Sequence, residues 1–488
     1  MDVYKAMDAD VEEAFLPGNN HVSFESKDKI PAAIFLANVG AVAYMAIVWG
    51  GPNVSKFDFT DHKADETTRS QAMTLLIVSL GIGLVGAVLS ALWLQVLQLY
   101  ASRMISMTLQ VTAASLALAS MAGFMEGGFA GRAIGFLNII LSGVVVMYYF
   151  NARHRIPFAA ANLAVAAKIM RRFPQVVIVA YGAIAAQVAW MLLWTVALVG
   201  VWTKAYDIHA SSMELLSTAT LNLSVFFMLL SLFWGLQVLR NIVHCTAAGA
   251  IGEWWFSPDT THAVQRALQR ATTTSFGSIC FGSLIVATLS ALQFVLLSAK
   301  RRKGRSTVNA CLECLVTALE THLRAWNKYA YCQVALYGKD FQTAGTDTLQ
   351  LFREKGWSGV VNDSLVSSVL SMGCLVVGTA TGIVGVTWFY VATACSEAEM
   401  ALHPAQCETF NVIMMTFVSC GAMGYAMCAV VSSILDSIVA TIFVCFAEDP
   451  VALHITNSDE YIAIIDAWRQ FHPELLTHST FSASVSYA

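Results

Sequence analysis

Apolar segments of membrane-spanning length run through most of this chain and leave few folds open to it. Crossing a bilayer's hydrocarbon layer takes about 20 predominantly apolar residues. The stretches 31–50, 72–99, 104–126, 174–202, 217–239, 272–298 and 364–394 all meet that length, and 133–150 and 409–440 come close to it. Composition agrees: 57% of the 488 residues are hydrophobic and 12% are charged, against about 25% charged in soluble domains. There are too few charges to coat soluble domains of this total size. A net charge of −4 and the absence of a dominant basic run exclude a nucleic-acid partner. The chain reads as an all-α polytopic membrane protein.

Asp2, Asp8, Asp10, Glu12 and Glu13 stand where a signal peptide would be basic, so the segment opening at Pro31 reads as an uncleaved span. Lys and Arg in short loops mark the cytoplasmic side. The connection 151–173 carries Arg153, Arg155, Lys168, Arg171 and Arg172, and 300–305 carries Lys300, Arg301, Arg302, Lys303 and Arg305. Both are expected inside. The segment 395–408 has Glu397, Glu399 and Glu408 and no basic residue, and is expected outside. Nine spans cannot satisfy both basic loops, so 241–256 is expected to cross as a short or broken helix, leaving Arg266 and Arg270 outside.

The expected layout is a cytoplasmic tail over 1–30 and helices 1–8 over 31–298. A cytoplasmic connecting segment with a helix-like stretch from Cys311 to Trp326 covers 299–363, helices 9 and 10 cover 364–440, and a cytoplasmic tail covers 441–488. That makes about ten transmembrane helices with both termini cytoplasmic. The loop 51–71 then lies outside, where Asn53-Val54-Ser55 is a candidate glycan acceptor. The cysteines fall mostly in apolar spans and read as small buried hydrophobes. Cys395 and Cys407 flank the acidic outer loop and are a candidate disulfide.

Polar groups inside spans are expensive, and each is a functional candidate by default. Trp234, Gln237, Asn241 and His244 follow helical spacing and share one face. Such a stripe either lines a solute path or joins helices through hydrogen bonds. Gln187, Trp190 and Trp194 share a face in the same way. Two indoles there are candidates for an aromatic cage around a quaternary ammonium, the alternative being the headgroup belt. Trp254 and Trp255 read as belt residues at the outer interface. His244, Glu253 and Asp436 are candidate proton or cation sites, with a solvated helix end as the plainer reading of the two carboxylates. Small residues at Gly277, Ser278, Gly282 and Ser283 permit close helix packing or a hinge. No phosphate loop, dinucleotide fingerprint, zinc-protease or nucleophile-elbow motif is present, and no Cys/His spacing suggests a metal. The chain is expected to be no enzyme and to need no cofactor, and any transport it performs is expected to be facilitated or ion-coupled.

Four segments together resemble the choline transporter-like family, in the manner of its fungal and protist members. They are Gln237–His244 running on to Trp254-Trp255-Phe256, Phe276–Ile285 with its paired Gly-Ser, Asn327–Tyr331 with Gly338 and Phe341, and Asp436 with Cys445–Asp449. Gln342 stands where many members have Cys, and Cys374 where many have Lys. The resemblance implies a ten-span carrier with cytoplasmic termini, moving choline or a related organic cation across plasma or organelle membranes, often with proton exchange. Alternatives are a carrier of a different small amine in the same fold, or a membrane scaffold whose 300–305 cluster holds anionic lipid. Neither reading says what the oligomeric state is.

Overall fold

The computed structural model describes residues 26–54, 66–125, 129–153, 156–211, 214–258, 260–303, 307–355, 358–392, 410–462 and 464. Among these residues there is no strand. In chain order the helices are α1 (Lys29–Met45), α2 (Glu66–Met125), α3 (Phe129–Ala152), α4 (Ile156–Arg172), α5 (Gln175–Ser211), α6 (Glu214–Phe256), α7 (Ala263–Thr272), α8 (Phe276–Lys303), α9 (Thr307–Tyr337), α10 (Phe341–Lys355), α11 (Ser358–Ala392), α12 (Phe410–Glu448) and α13 (Pro450–Thr456). A π-turn, Ala46–Gly50, and a four-residue helix, Gly51–Val54, extend α1.

Among the described residues, six segments are long and apolar enough to span a membrane: Lys29–Gly50, Gln175–Val201, Ser224–Phe256, Phe276–Leu296, Leu365–Trp388 and Thr416–Glu448. The arms of α2, Leu84–Leu97 and Leu99–Leu118, bend by 98° and make a seventh if taken as one span. The helix breaks at Tyr100, where φ is −127° and ψ 25°, in the gap expected between 72–99 and 104–126. The apolar helix Asn138–Asn151 is shorter. The chain is therefore an integral membrane protein, nearly all helix.

The chain divides into two compact units. The first holds α1, α5 to α10, the end of α12 from Ala440, and α13; the second holds α2, α3, α4, α11 and α12 up to Val439. In the first unit, α7 shows how sequence pattern becomes packing. Ala263, Val264, Ala267 and Ala271 recur on one face and are buried, while Arg266 and Arg270 reach Glu253 on α6. α8 and α9 run antiparallel, laced by Ser283–Tyr331, Ser290–Glu320 and Gln293–Thr317. In the second unit, α4 buries Ala159, Leu163, Ala166, Ala167 and Met170, and its exposed Lys168 pairs with Glu460 at 2.7 Å. α11 and α12 meet where a Cβ on Gly378 would stand 2.9 Å from the Gly421 carbonyl oxygen, an approach only small residues allow.

Four expectations change. The stretch 241–256 is no separate or broken helix, because α6 runs unbroken from Glu214 to Phe256. Gly249 and Gly252 make room for Ala267 and Leu336 rather than breaking the helix. At about 1.5 Å per residue, a helix of 43 residues far exceeds a hydrocarbon layer of about 30 Å. The segment 299–363 holds two packed helices: α9, which takes in the expected helix-like stretch from Cys311 to Trp326, and α10, which was not expected. Trp254 and Trp255 are 1% and 0% exposed, so they are core residues and not a headgroup belt. Finally, α12 continues past 440 to Glu448, with Thr441 to Ala447 buried.

Candidate functional site

The polar stripe of α6 faces α8 and α9 inside the first unit. Trp234 donates its indole N–H to the Cys280 carbonyl at 2.9 Å, with the ring of Phe35 edge-on to it at 5.1 Å. Two turns further on, Asn241 Nδ2 donates to Ser283 Oγ at 2.9 Å and lies 3.1 Å from the Tyr331 hydroxyl oxygen. Tyr331 is fully buried and its hydroxyl also approaches the Ile279 carbonyl at 3.4 Å. His244 is buried one turn on, with Nε2 at 2.9 Å from the Lys328 carbonyl and 3.7 Å from Cys332 Sγ. A carbonyl only accepts, so that Nε2 carries a proton. Cys332 continues to Thr441 Oγ1 at 3.5 Å. Gln237, on the same face, is half-buried.

The paired Gly-Ser residues of α8 sit at these contacts. A Cβ on Gly282 would overlap Phe341 and the Tyr331 hydroxyl, and one on Gly277 would overlap the Lys27 and Asp28 carbonyls. Ser283 joins the Asn241–Tyr331 pair. Ser278 donates to Asp28 Oδ2 at 2.7 Å, and the same oxygen accepts the Phe341 backbone N–H at 3.0 Å. Asp28, held at φ 50°, thus ties the start of α1 to the starts of α8 and α10. Nearby, Asn327 donates to the Gly282 carbonyl, while its own Oδ1 is buried without a hydrogen bond among the described residues.

The second stripe, on α5, forms an antiparallel zipper with α6. Gln187, Trp190 and Trp194 donate to the carbonyls of Leu236, Leu232 and Met228 at 3.3, 3.4 and 2.8 Å. Trp190 lies over Gly235, where a Cβ would strike the indole, and belongs to a core with Val42, Ala46, Ala197 and Met228. The α5 stripe therefore packs on the backbone of α6, while the stripe of α6 itself faces α8 and α9.

Glu253 is matched by two guanidiniums, Arg266 at 2.7 Å and Arg270 at 2.6 Å. Asp436, in the second unit, accepts from Ser367 on α11 at 3.4 Å. Cys374 is buried beside Cys428 and Ser432, and Gln342 is exposed. Asn53 lies on the helix Gly51–Val54, and its partner in the triplet, Ser55, falls outside the described residues, as do Cys395 and Cys407. Cys245, Cys280, Cys332, Cys374, Cys420, Cys428 and Cys445 are buried and outside any disulfide.

Three features escaped the sequence reading. Glu448, at the end of α12, accepts from both Gln333 and Tyr337 of α9. Lys339 then bonds Gln333 at 3.0 Å and lies 4.7 Å from the Tyr337 ring centroid. Asp28 joins helices far from it in sequence. A cavity of about 590 Å³ opens in the second unit between α2, α3 and α11. No spacing rule connects residue 28 with 278 and 341, and hydroxyls scattered over three helices leave no local pattern.

Several spans and close helix packing define an integral membrane protein built as a helical bundle. The pattern of a family described as "Plasma-membrane choline transporter" matches residues 136–451, more than half of the chain. The chain belongs to this choline transporter-like family. Among curated relatives it is 28% identical to Protein PNS1 of Cryptococcus neoformans over 479 residues, which is 92% of this chain and 82% of that protein. It is 27% identical to Protein PNS1 of Debaryomyces hansenii, over 66% of this chain and 64% of that protein. A CTL-like protein of Dictyostelium discoideum is 25% identical over 71% of this chain and 59% of that protein. The matched region thus spans a little under two thirds of the Debaryomyces relative.

Proposed function

We propose that this protein carries choline or a related organic cation across the plasma membrane by alternating access, facilitated or coupled to protons, with His244 as the proton site. Membership of the family carries this reading. Support comes from the buried line His244, Cys332, Thr441, which joins α6, α9 and α12. The rings of Trp190, Trp194 and Trp234 remain candidates for contact with the cation through their faces, since their N–H groups are already taken up by carbonyls.

We further propose ten crossings with both termini cytoplasmic, the tenth being α9 in place of 241–256. Trp255 Nε1 bonds the Asp449 carbonyl at 2.9 Å, and Asp28 bonds Ser278 and Phe341. The start of α1, the end of α6, the starts of α8 and α10 and the end of α12 therefore share one end of the first unit. In this assignment α8 leaves that end and α9 returns to it. Arg266 and Arg270 become cytoplasmic, and the cluster 300–305 lies outside. Labelling of single cysteines at positions 266 and 302 from outside intact cells checks it: only position 302 should react.

The test of the function is uptake of radiolabelled choline into proteoliposomes, with and without a pH gradient. Saturable uptake that follows the gradient, and loses that dependence in His244→Gln with the fold intact, is the expected outcome. Gradient-driven uptake unchanged in His244→Gln removes the histidine from the mechanism. Folded protein that takes up no cation under any gradient overturns the carrier reading in favour of a scaffold.

A further inference from the structure

The cavity in the second unit is lined by Thr108, Thr112, Tyr148, Ser367, Ser368 and Ser371, with aliphatic side chains between them. Its volume of about 590 Å³ lies within the range of small-molecule sites, about 300–1,000 Å³. The hydroxyls come from the second arm of α2, from α3 and from the apolar span Leu365–Trp388, so they stand at membrane depth. Water is scarce there, and a solute entering the cavity would become a further partner of these hydroxyls.

The chemistry of that partner follows from where the protons point. Thr108 donates to the Met104 carbonyl at 2.8 Å and Thr112 to the Thr108 carbonyl at 2.8 Å. Ser367 donates to Asp436 at 3.4 Å. These protons are committed to the protein, so the oxygens offer lone pairs to the cavity. No Lys, Arg or His is among the lining residues. Asp436 stands one hydrogen bond behind the wall and makes the potential there negative, and Tyr148 adds an aromatic ring. Three acceptor oxygens backed by a carboxylate disfavour anions and suit a cation with a diffuse charge.

We propose that this cavity binds the ammonium end of an organic cation, with Asp436 as its counter-charge acting through Ser367. The proposal rests on the carrier reading for the cation's entry but not for the binding itself. Val144 and Leu375, which also line the cavity, are exposed. The same ammonium chemistry is therefore available from a free choline-class solute or from the headgroup of a choline lipid lying along these side chains.

Equilibrium binding of radiolabelled choline to the purified full chain separates the cases, compared across wild type, Asp436→Asn and Ser371→Leu, with thermal melting as the fold control. Asp436→Asn should weaken binding by about tenfold or more by removing the counter-charge, and Ser371→Leu should abolish it by replacing a lining hydroxyl with a bulkier apolar side chain. If the source is lipid, choline lipid co-purifying with the wild type, read by mass spectrometry, should be lost in Ser371→Leu, and this equally supports the site. Choline binding and lipid content unchanged in both folded variants would overturn the site while leaving the carrier reading intact. Wild type that transports no cation yet loses bound choline lipid in Ser371→Leu would keep the site and end the carrier reading. Should Ser371→Leu fail to fold, Thr112→Val, which keeps the shape and removes one acceptor, takes its place and should weaken binding.

Discussion

The two helical units treat polar groups at membrane depth in opposite ways. In the first, Trp234, Asn241, His244, Ser283 and Tyr331 are bonded to one another or to backbone carbonyls, and aromatic rings fill the space around them. In the second, hydroxyls of three helices face an open volume. Polar residues in a span can therefore lock helices together or leave a place for a solute. Residue type alone does not distinguish the two; the test is whether a neighbouring helix already occupies the space.

The comparison breaks most sharply at the glycines. Gly282→Leu should leave little folded protein, because the side chain would collide with Tyr331 and Phe341, and overpacking costs about 1–3 kcal/mol or more. Gly143→Leu in the second unit, where nothing lies within 4 Å of an added Cβ, should be tolerated. The yield of monodisperse protein after purification reads both. Next in size is Asp28→Ala, which strips the acceptor from Ser278 and from the Phe341 N–H. A loss of about 1–3 kcal/mol is expected. Ser371→Ala, by contrast, should change stability by less than about 0.5 kcal/mol, and thermal melting compares the two directly.

Smaller effects sharpen the comparison. Trp190→Phe and Trp194→Phe remove one interhelical hydrogen bond each, at about 0.6 kcal/mol, and keep an aromatic face. Melting temperature should fall slightly while choline affinity holds. The smallest effect concerns Asp340, which caps α10 by accepting the Thr343 N–H at 2.9 Å. Partial burial pushes its carboxyl up, but the Thr343 backbone and hydroxyl and the charge of Lys27 pull it further down, so it titrates below the usual carboxylate value. A lowered folded-state value means that the cap stabilises above about pH 4 and that this contribution is lost as pH falls through the folded value. Asp340→Ala should thus cost about 1 kcal/mol at neutral pH and make progressively less difference as the carboxyl is protonated at acid pH, as melting curves across pH would record.

Much of the helical layout was legible in the amino acids, because spans announce themselves by length. The break near Tyr100 was visible as a gap between two apolar runs. The stripe Trp234, Gln237, Asn241, His244 was visible as helical spacing. α9 was legible only as a helix-like stretch from Cys311 to Trp326; its place in the bundle was not, because Glu313, Glu320, His322, Arg324 and Lys328 give it the composition of a soluble segment. Glu320 is buried, and Ser290 of α8 answers it at 2.7 Å. Such pairing removes the penalty that a hydropathy reading assigns to each charged residue singly. Gly249 and Gly252 misled in the other direction, since they suggested a break and instead admit Ala267 and Leu336.

By itself the sequence determined that this chain lives in a membrane as a bundle of helices, because burying apolar side chains in hydrocarbon depends on composition and length alone. Its motifs also determined the family, because Gln237–His244 and the paired Gly-Ser of α8 are local strings. Only the tertiary structure decided which polar residues are satisfied, which helices meet and where a cavity remains. Those outcomes depend on hydrogen bonds and close contacts between residues such as Asp28 and Phe341, 313 positions apart, and no local pattern encodes them.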